Sequence, residues 1–186
     1  IEDIGITAFG ATGYSLNYDY NYNISPNEYV SWTFRKAAKF FHVSSQVKAA
    51  GVSKTVDLSV LGVVGMVKVK RTDAAGSWYV WHRSLTAGKL LIGETTAPEA
   101  TLGHITVSGT TLTLVDGVIA DGTYHVEAYA HDDSATGLIQ CGSLATDASG
   151  NATVNLGWEP QFLNTKSISA SGSGRLADTA RNLSQT

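Results

Sequence analysis

The stretch SWYVWHRSL, residues 77–85, holds two of the chain's four tryptophans with a tyrosine, a histidine and an arginine. Indole rings stack on the apolar faces of sugars, and imidazole or guanidinium groups at the rim can hydrogen-bond to hydroxyls. Read as a strand, the segment puts Trp78, Val80 and His82 on one face and Tyr79, Trp81 and Arg83 on the other. One of Trp78 and Trp81, and not both, is therefore expected in the core. Trp78, Trp81, His82 and Arg83 are candidate ligand-binding residues. The competing reading is a doubly covered strand, in a sandwich core or a subunit interface, that does no chemistry.

A second aromatic cluster is GYSLNYDYNYN, residues 13–23. Tyr14, Tyr18, Tyr20 and Tyr22 share one parity, and Asn17, Asp19, Asn21 and Asn23 the other. An aromatic face behind an amide-rich face fits a subunit contact or a ligand-facing edge, so Tyr18, Tyr20 and Tyr22 join the candidates. An irregular arm with exposed tyrosines is the alternative.

Other chemistry is thinly supported. HDDS at 131–134 has metal-ligand types, but a metal site needs ligands converging from several segments, and a solvated turn explains it. Asp147 in DASGN reads as a turn residue. No G-x-S-x-G elbow, P-loop, dinucleotide fingerprint, H-E-x-x-H or C-x-x-C occurs. A two-carboxylate glycosidase could be assembled from pairs such as Glu127 and Asp132, but nothing singles out a pair. The expectation is a non-enzyme with no catalytic residues, no metal and no cofactor. Cys141 is the only cysteine, which excludes an internal disulfide, and its apolar setting LIQCGSL predicts an inert buried thiol.

The elements that must position these residues are strands. Only 16% of residues are charged and Gly, Thr, Ser and Ala abound, as in chains of many short strands. Strand patterns occur at 29–34, 41–47, 66–71, 78–82, 104–115, 124–130, 138–144, 152–156 and 162–169. Turn-forming stretches such as DAAGS, TAGK, ADGT and DASGN lie between them. The segment 88–104 reads as a loop with a short strand. FRKAAKFFHV could form one or two helical turns or a strand–loop–strand. The predicted class is all-β, an antiparallel sandwich or jelly roll.

The chain also matches itself. YVSWTFR at 29–35 resembles YHVEAYA at 124–130, and the Leu-Gly pair at 61–62 recurs at 156–157, both at an offset of 95 residues. Two degenerate repeats are expected, residues 1–92 and 93–186, as separate units or one fused domain. At the positions of Trp78, Trp81 and His82 the second copy has Gly174, Ala177 and Asp178. That shifts weight from packing towards surface function for the two indoles.

Net charge is −3 and the isoelectric point about 5.9, so nucleic-acid binding is not expected. The longest uncharged apolar run, VLGVVGMV at 60–67, falls well short of the roughly 20 residues of a membrane-spanning helix. The sequence opens at Ile1 in mid-pattern, so an excerpt of a longer protein is expected.

The segments YVSWTFRKAAKFFHV, GMVKVKRTDAAGSWYVWHRSL, GLIQCGSLATDASGNATVNLGWEPQFL and DTAR, in this order, resemble a repeated β-domain of tailed-bacteriophage virion proteins. That resemblance covers about residues 5–182, nearly the whole chain. The chain departs from it at LGVVGM, where Val64 stands in place of the family's proline before Gly65. The resemblance implies a non-enzymatic module of a tail fibre or appendage, located in the virion. Its expected partners are copies of itself, with a trimer favoured, other virion proteins and host surface polysaccharide. Two alternatives stand beside it: a purely architectural neck, connector or head-fibre protein, and a polysaccharide depolymerase domain.

Overall fold

The structure, a computed structural model, describes residues 5–18, 25, 28, 29 and 31–179. The chain divides into two units, residues 1–34 and 35–186. In the first, β1 (Gly5–Phe9) and β2 (Tyr14–Asn17) form an antiparallel hairpin. Its turn is closed by the Gly10 amide donating to the Gly13 carbonyl at 2.7 Å. The Tyr14 hydroxyl donates to Ser31 Oγ at 2.8 Å, and Tyr18 is exposed. Tyr20 and Tyr22 lie outside the described residues.

The second unit contains β3 (Phe41–Lys48), β4 (Lys54–Asp57), β5 (Val64–Arg71), β6 (Tyr79–His82), β7 (Lys89–Ile92) and β8 (Ala100–Thr101). These are followed by β9 (Ile105–Ser108), β10 (Thr111–Leu114), β11 (Gly122–Ala130), β12 (Phe162–Thr165) and β13 (Arg175–Asp178). One antiparallel sheet runs β3-β11-β5-β6-β7-β8, a second runs β4-β10-β9, and β12 and β13 form a hairpin. Among the described residues there is no α-helix, and a single 3-10 turn spans Ser59–Leu61. The all-β antiparallel class is therefore what the structure has.

Alternation builds the core. In β11 the residues Tyr124, Val126, Ala128 and Ala130 are buried, while His125, Glu127 and Tyr129 between them are only partly covered. Val67 and Val69 of β5 join the buried set. Val56 of β4, Ile105 of β9, and Leu112 and Leu114 of β10 meet them from the smaller sheet. The result is a sandwich whose large sheet has one face packed and the other turned outward.

A buried lysine holds the β10–β11 connection. Lys48 closes β3 with its side chain fully covered, and its ammonium donates to Asp116 at 2.6 Å, Asp121 at 2.9 Å and the Ala49 carbonyl at 3.1 Å. All three of its donors are used, the condition for burying such a group. The hydrogen bonds to Asp116 and Asp121 push Lys48 above its ordinary value, and the bond from Lys48 holds Asp116 below its own.

Several sequence expectations give way here. Described residues of 29–34 carry no strand, and residues 34–40 form no helix but a bridge between Ala37 and Phe41 with a turn at Lys39, whose φ is 54°. Residues 138–144 and 152–156 also lack strands. The first of these runs beside the sheet, its Ile139 carbonyl accepting from the Asp132 amide and the Cys141 amide donating to His131 Nδ1. Its apolar residues serve one-sided burial rather than a ladder. Gly65 is a strand residue of β5, not part of a turn. A Cβ there would lie 2.6 Å from both the Ala130 carbonyl oxygen and Cys141 Sγ, so the close approach requires glycine.

The repeat positions differ in setting. Tyr29 is exposed outside any strand, whereas Tyr124 is buried in β11. Gly62 and Gly157 both take positive φ, 72° and 76°. Strands from both sides of residue 92 share the large sheet, β11 lying between β3 and β5.

Cys141 is buried against Gly65, and burial pushes its thiol up to about 11. Thiolate is the reactive form. An aromatic disulfide reagent at pH 8 should therefore modify the native protein far more slowly than the urea-unfolded one. Equal rates would show that the 138–144 segment does not cover the thiol.

Candidate functional site

Strand register lays the outward face of the large sheet out in rows. The first row is Ser45, His125 and Lys70, on β3, β11 and β5, with Trp78 beside Lys70 just before β6 begins. The second is Val43, Glu127, Lys68 and Val80. The third is Phe41, Tyr129, Met66 and His82. The face thus grades from a charged, partly exposed end to an aromatic and apolar end. Phe41 and Tyr129 rings sit 5.0 Å apart there.

Glu127 organises the middle of this face. Its carboxylate accepts from Lys68 Nζ at 2.9 Å, from His125 Nε2 at 3.1 Å and from the Tyr129 hydroxyl at 3.1 Å. Burial alone would raise this carboxyl, but the Lys68 bond and charge, with the His125 and Tyr129 donors, hold it below its ordinary value. Burial and the neighbouring Glu127 charge push the Tyr129 phenol well above its usual range. Glu127 is thus an ionised hub with its donors in place.

Trp78 is fixed from several sides. Its amide donates to Glu94 Oε2 at 3.0 Å, and its carbonyl accepts from the Gly93 amide at 2.8 Å. A Cβ on Gly93 would come within 2.9 Å of Trp78 Cβ, so glycine lets the two segments close. Lys68 Nζ lies 4.7 Å and Lys70 Nζ 5.6 Å from the indole centroid. The His125 ring meets the indole edge-on at 5.9 Å. These are cation–π and T-shaped geometries, and the indole is half-buried.

The candidates named from sequence are dispersed. Trp78 belongs to the charged end of the outward face. Trp81 pairs with Val67 and leans on the core, half-buried, from the opposite face. The two indoles do separate by face, but neither is fully buried. His82 shares Trp78's face but sits in the third row, where its Nδ1 accepts from the Ser84 amide at 3.1 Å. Arg83 is exposed past the end of β6, its amide donating to the Gly65 carbonyl at 3.0 Å. Tyr18 belongs to the other unit. Lys68, Lys70, His125 and Glu127 complete the site and were not singled out as a set. Their signal is the polar parity of MVKVKR and YHVEAYA, which becomes a site only when β5 and β11 are known to pair.

Asp132 and Asp147 cap their own turns, accepting from Ser134 and from Ser149 and Asn151 respectively. Among the described residues no group of three His, Cys, Asp or Glu side chains is placed to hold a metal ion.

The two indoles should respond differently to truncation. Trp81→Ala removes a ring packed on the core and should cost about 3 kcal/mol, the low end for a buried tryptophan, because it is half-covered. Trp78→Ala should cost less, about 1 kcal/mol, for the lost ring contacts. Urea unfolding of both variants checks this; equal losses would mean the two faces are packed alike.

No curated protein and no solved structure matches the chain. A protein family matches over residues 2–186: the chain belongs to DUF7483, a domain of unknown function.

Proposed function

We propose that the chain is a non-enzymatic structural module of a virion appendage that contacts host surface glycans through the outward face of its large sheet. The observation that carries this reading is Trp78. Its half-buried indole is held beside two lysines and a histidine, on the sheet face that the smaller sheet leaves uncovered. A partly exposed ring with ammonium donors close by is an arrangement that grips a sugar without chemistry. The ordered resemblance to tailed-phage β-domains supports reading the module as part of a tail fibre or appendage. Exposed apolar side chains such as Phe9 and Val47 are of the kind that assembly with further copies covers, and a trimer is the favoured form.

One observation favours a purely architectural role instead. Lys68 and His125 already engage the Trp78 ring, as they would in a face evolved only to pack. The experiment that decides is gel filtration of the domain with host surface polysaccharide, while following polymer length. Co-elution with unchanged chain length, lost in Trp78→Ala, supports the proposal. No co-elution, or co-elution that survives Trp78→Ala, supports architecture, and shortening of the polymer supports a depolymerase. Antibody labelling of purified particles tests the placement in the virion.

A further inference from the structure

The charge left unanswered on the Trp78 face points to the ligand's class. Lys68 is paired with Glu127 at 2.9 Å. Lys70 is not paired: its hydrogen bond goes to the neutral Gly76 carbonyl at 3.0 Å. No ion pair joins it to a carboxylate among the described residues, and Glu94 acts on it only through longer-range attraction. Glu94 is itself occupied by the Trp78 amide and Ser77. An ammonium has three donors, and Lys70 spends one. On the same row stand His125, whose Nε2 is already given to Glu127, and Ser45, exposed directly across from it. A neutral sugar would satisfy hydroxyl partners here but would leave the Lys70 charge unanswered beside a second ammonium.

We propose that this face binds an acidic sugar, a pyranose bearing a carboxylate, with the acid group on Lys70 and the ring against Trp78. The inference rests on the reading that the module contacts glycans through this face. Lys70 is the farther of the two cations from the indole, so it can swing to a carboxylate while Lys68 stays tied to Glu127. The chain's net charge of −3 opposes general attraction to polyanions, so recognition of an acidic polymer has to come from a local site.

The test is binding of the full chain to polygalacturonate, alginate and polysialic acid, to the same polymers with their carboxyls reduced to alcohols, and to dextran sulfate. At least one acidic polymer should bind. Carboxyl reduction and Lys70→Met should each weaken binding about tenfold, the scale of a charge-assisted hydrogen bond. Lys54→Met, on the smaller sheet, should leave binding unchanged, with unaltered melting of each variant as the control for folding. Equal binding of acidic and reduced polymers would overturn the acid preference and leave glycan contact standing. Equal binding of dextran sulfate, or equal loss in Lys54→Met, would reduce the effect to non-specific charge and overturn the inference. Binding of none of the polymers would overturn both the inference and the glycan reading.

Discussion

Tyr124→Ala should destabilise the domain by about 3–5 kcal/mol, and Tyr124→Phe by only about 1 kcal/mol. Tyr124 lies in the middle of the sandwich at 2% exposure, on the central strand β11 with β3 on one side and β5 on the other. Truncation leaves a ring-sized cavity between two sheets that cannot collapse onto it. The phenylalanine variant keeps the ring and loses one hydrogen bond, from the hydroxyl to the Ala120 carbonyl at 2.7 Å. That bond pins the end of the 116–121 connection already held by Lys48. Urea unfolding of both variants separates ring from hydroxyl. Comparable losses would mean that the connection, rather than packing, dominates at this position.

The second large effect is acid sensitivity above the carboxylate range. Burial pushes His42, His82, His104 and His131 below their ordinary value of 6.5. The unfolded chain therefore takes up protons on these imidazoles before the folded chain does. Stability is fully present above about pH 6.5 and falls as pH drops through that value towards the lower folded ones. His42 has an added reason: its Nδ1 is buried without a partner, and Lys36 disfavours a second positive charge nearby. His104 is similarly committed, stacked 4.1 Å from the Tyr79 ring. Urea midpoints should decline between pH 7 and pH 5. A further loss should follow below the ordinary carboxylate range, where Asp57, Asp116 and Asp132 give up the bonds that hold them ionised. A flat profile down to pH 5 would mean the imidazoles protonate freely in the native state.

What could be read from the sequence follows from what repeats locally. Alternation in 41–47, 66–71 and 124–130 marks β3, β5 and β11 because each strand has one packed and one open face. The hairpin at 104–115 is visible for the same reason, as β9 and β10. The pattern fails where burial is one-sided without a ladder. Residues 138–144 read as a strand, yet they lie against Gly65 through Cys141. β4 and β13 were missed because four residues with one buried position give too little periodicity. For the site, Trp78 was legible as a residue type, and the parity split from Trp81 followed from strand geometry. The partners were not legible. Lys68 and Lys70 lie more than fifty residues before His125 and Glu127, and only the β5–β11 register makes them neighbours. The density of aromatics at 77–85 drew attention to Arg83 and His82, which the end of β6 sends elsewhere.

The most direct measurement of the central claim uses the indole N–H signals of the chain's four tryptophans, Trp32, Trp78, Trp81 and Trp158. Each gives its own peak in a nitrogen–proton correlation spectrum, assigned by single replacement with phenylalanine. Titration with the acidic polymers that bind, cut to short oligosaccharides, reads all four at once. The account predicts that the Trp78 peak moves saturably, with the backbone amides of Ser45, Lys70 and His125. It also predicts that the core-leaning Trp81 and the amides of β9 and β10 on the smaller sheet stay still. Movement centred on Trp81, on Trp158 or on the smaller sheet, with Trp78 unmoved, would contradict it.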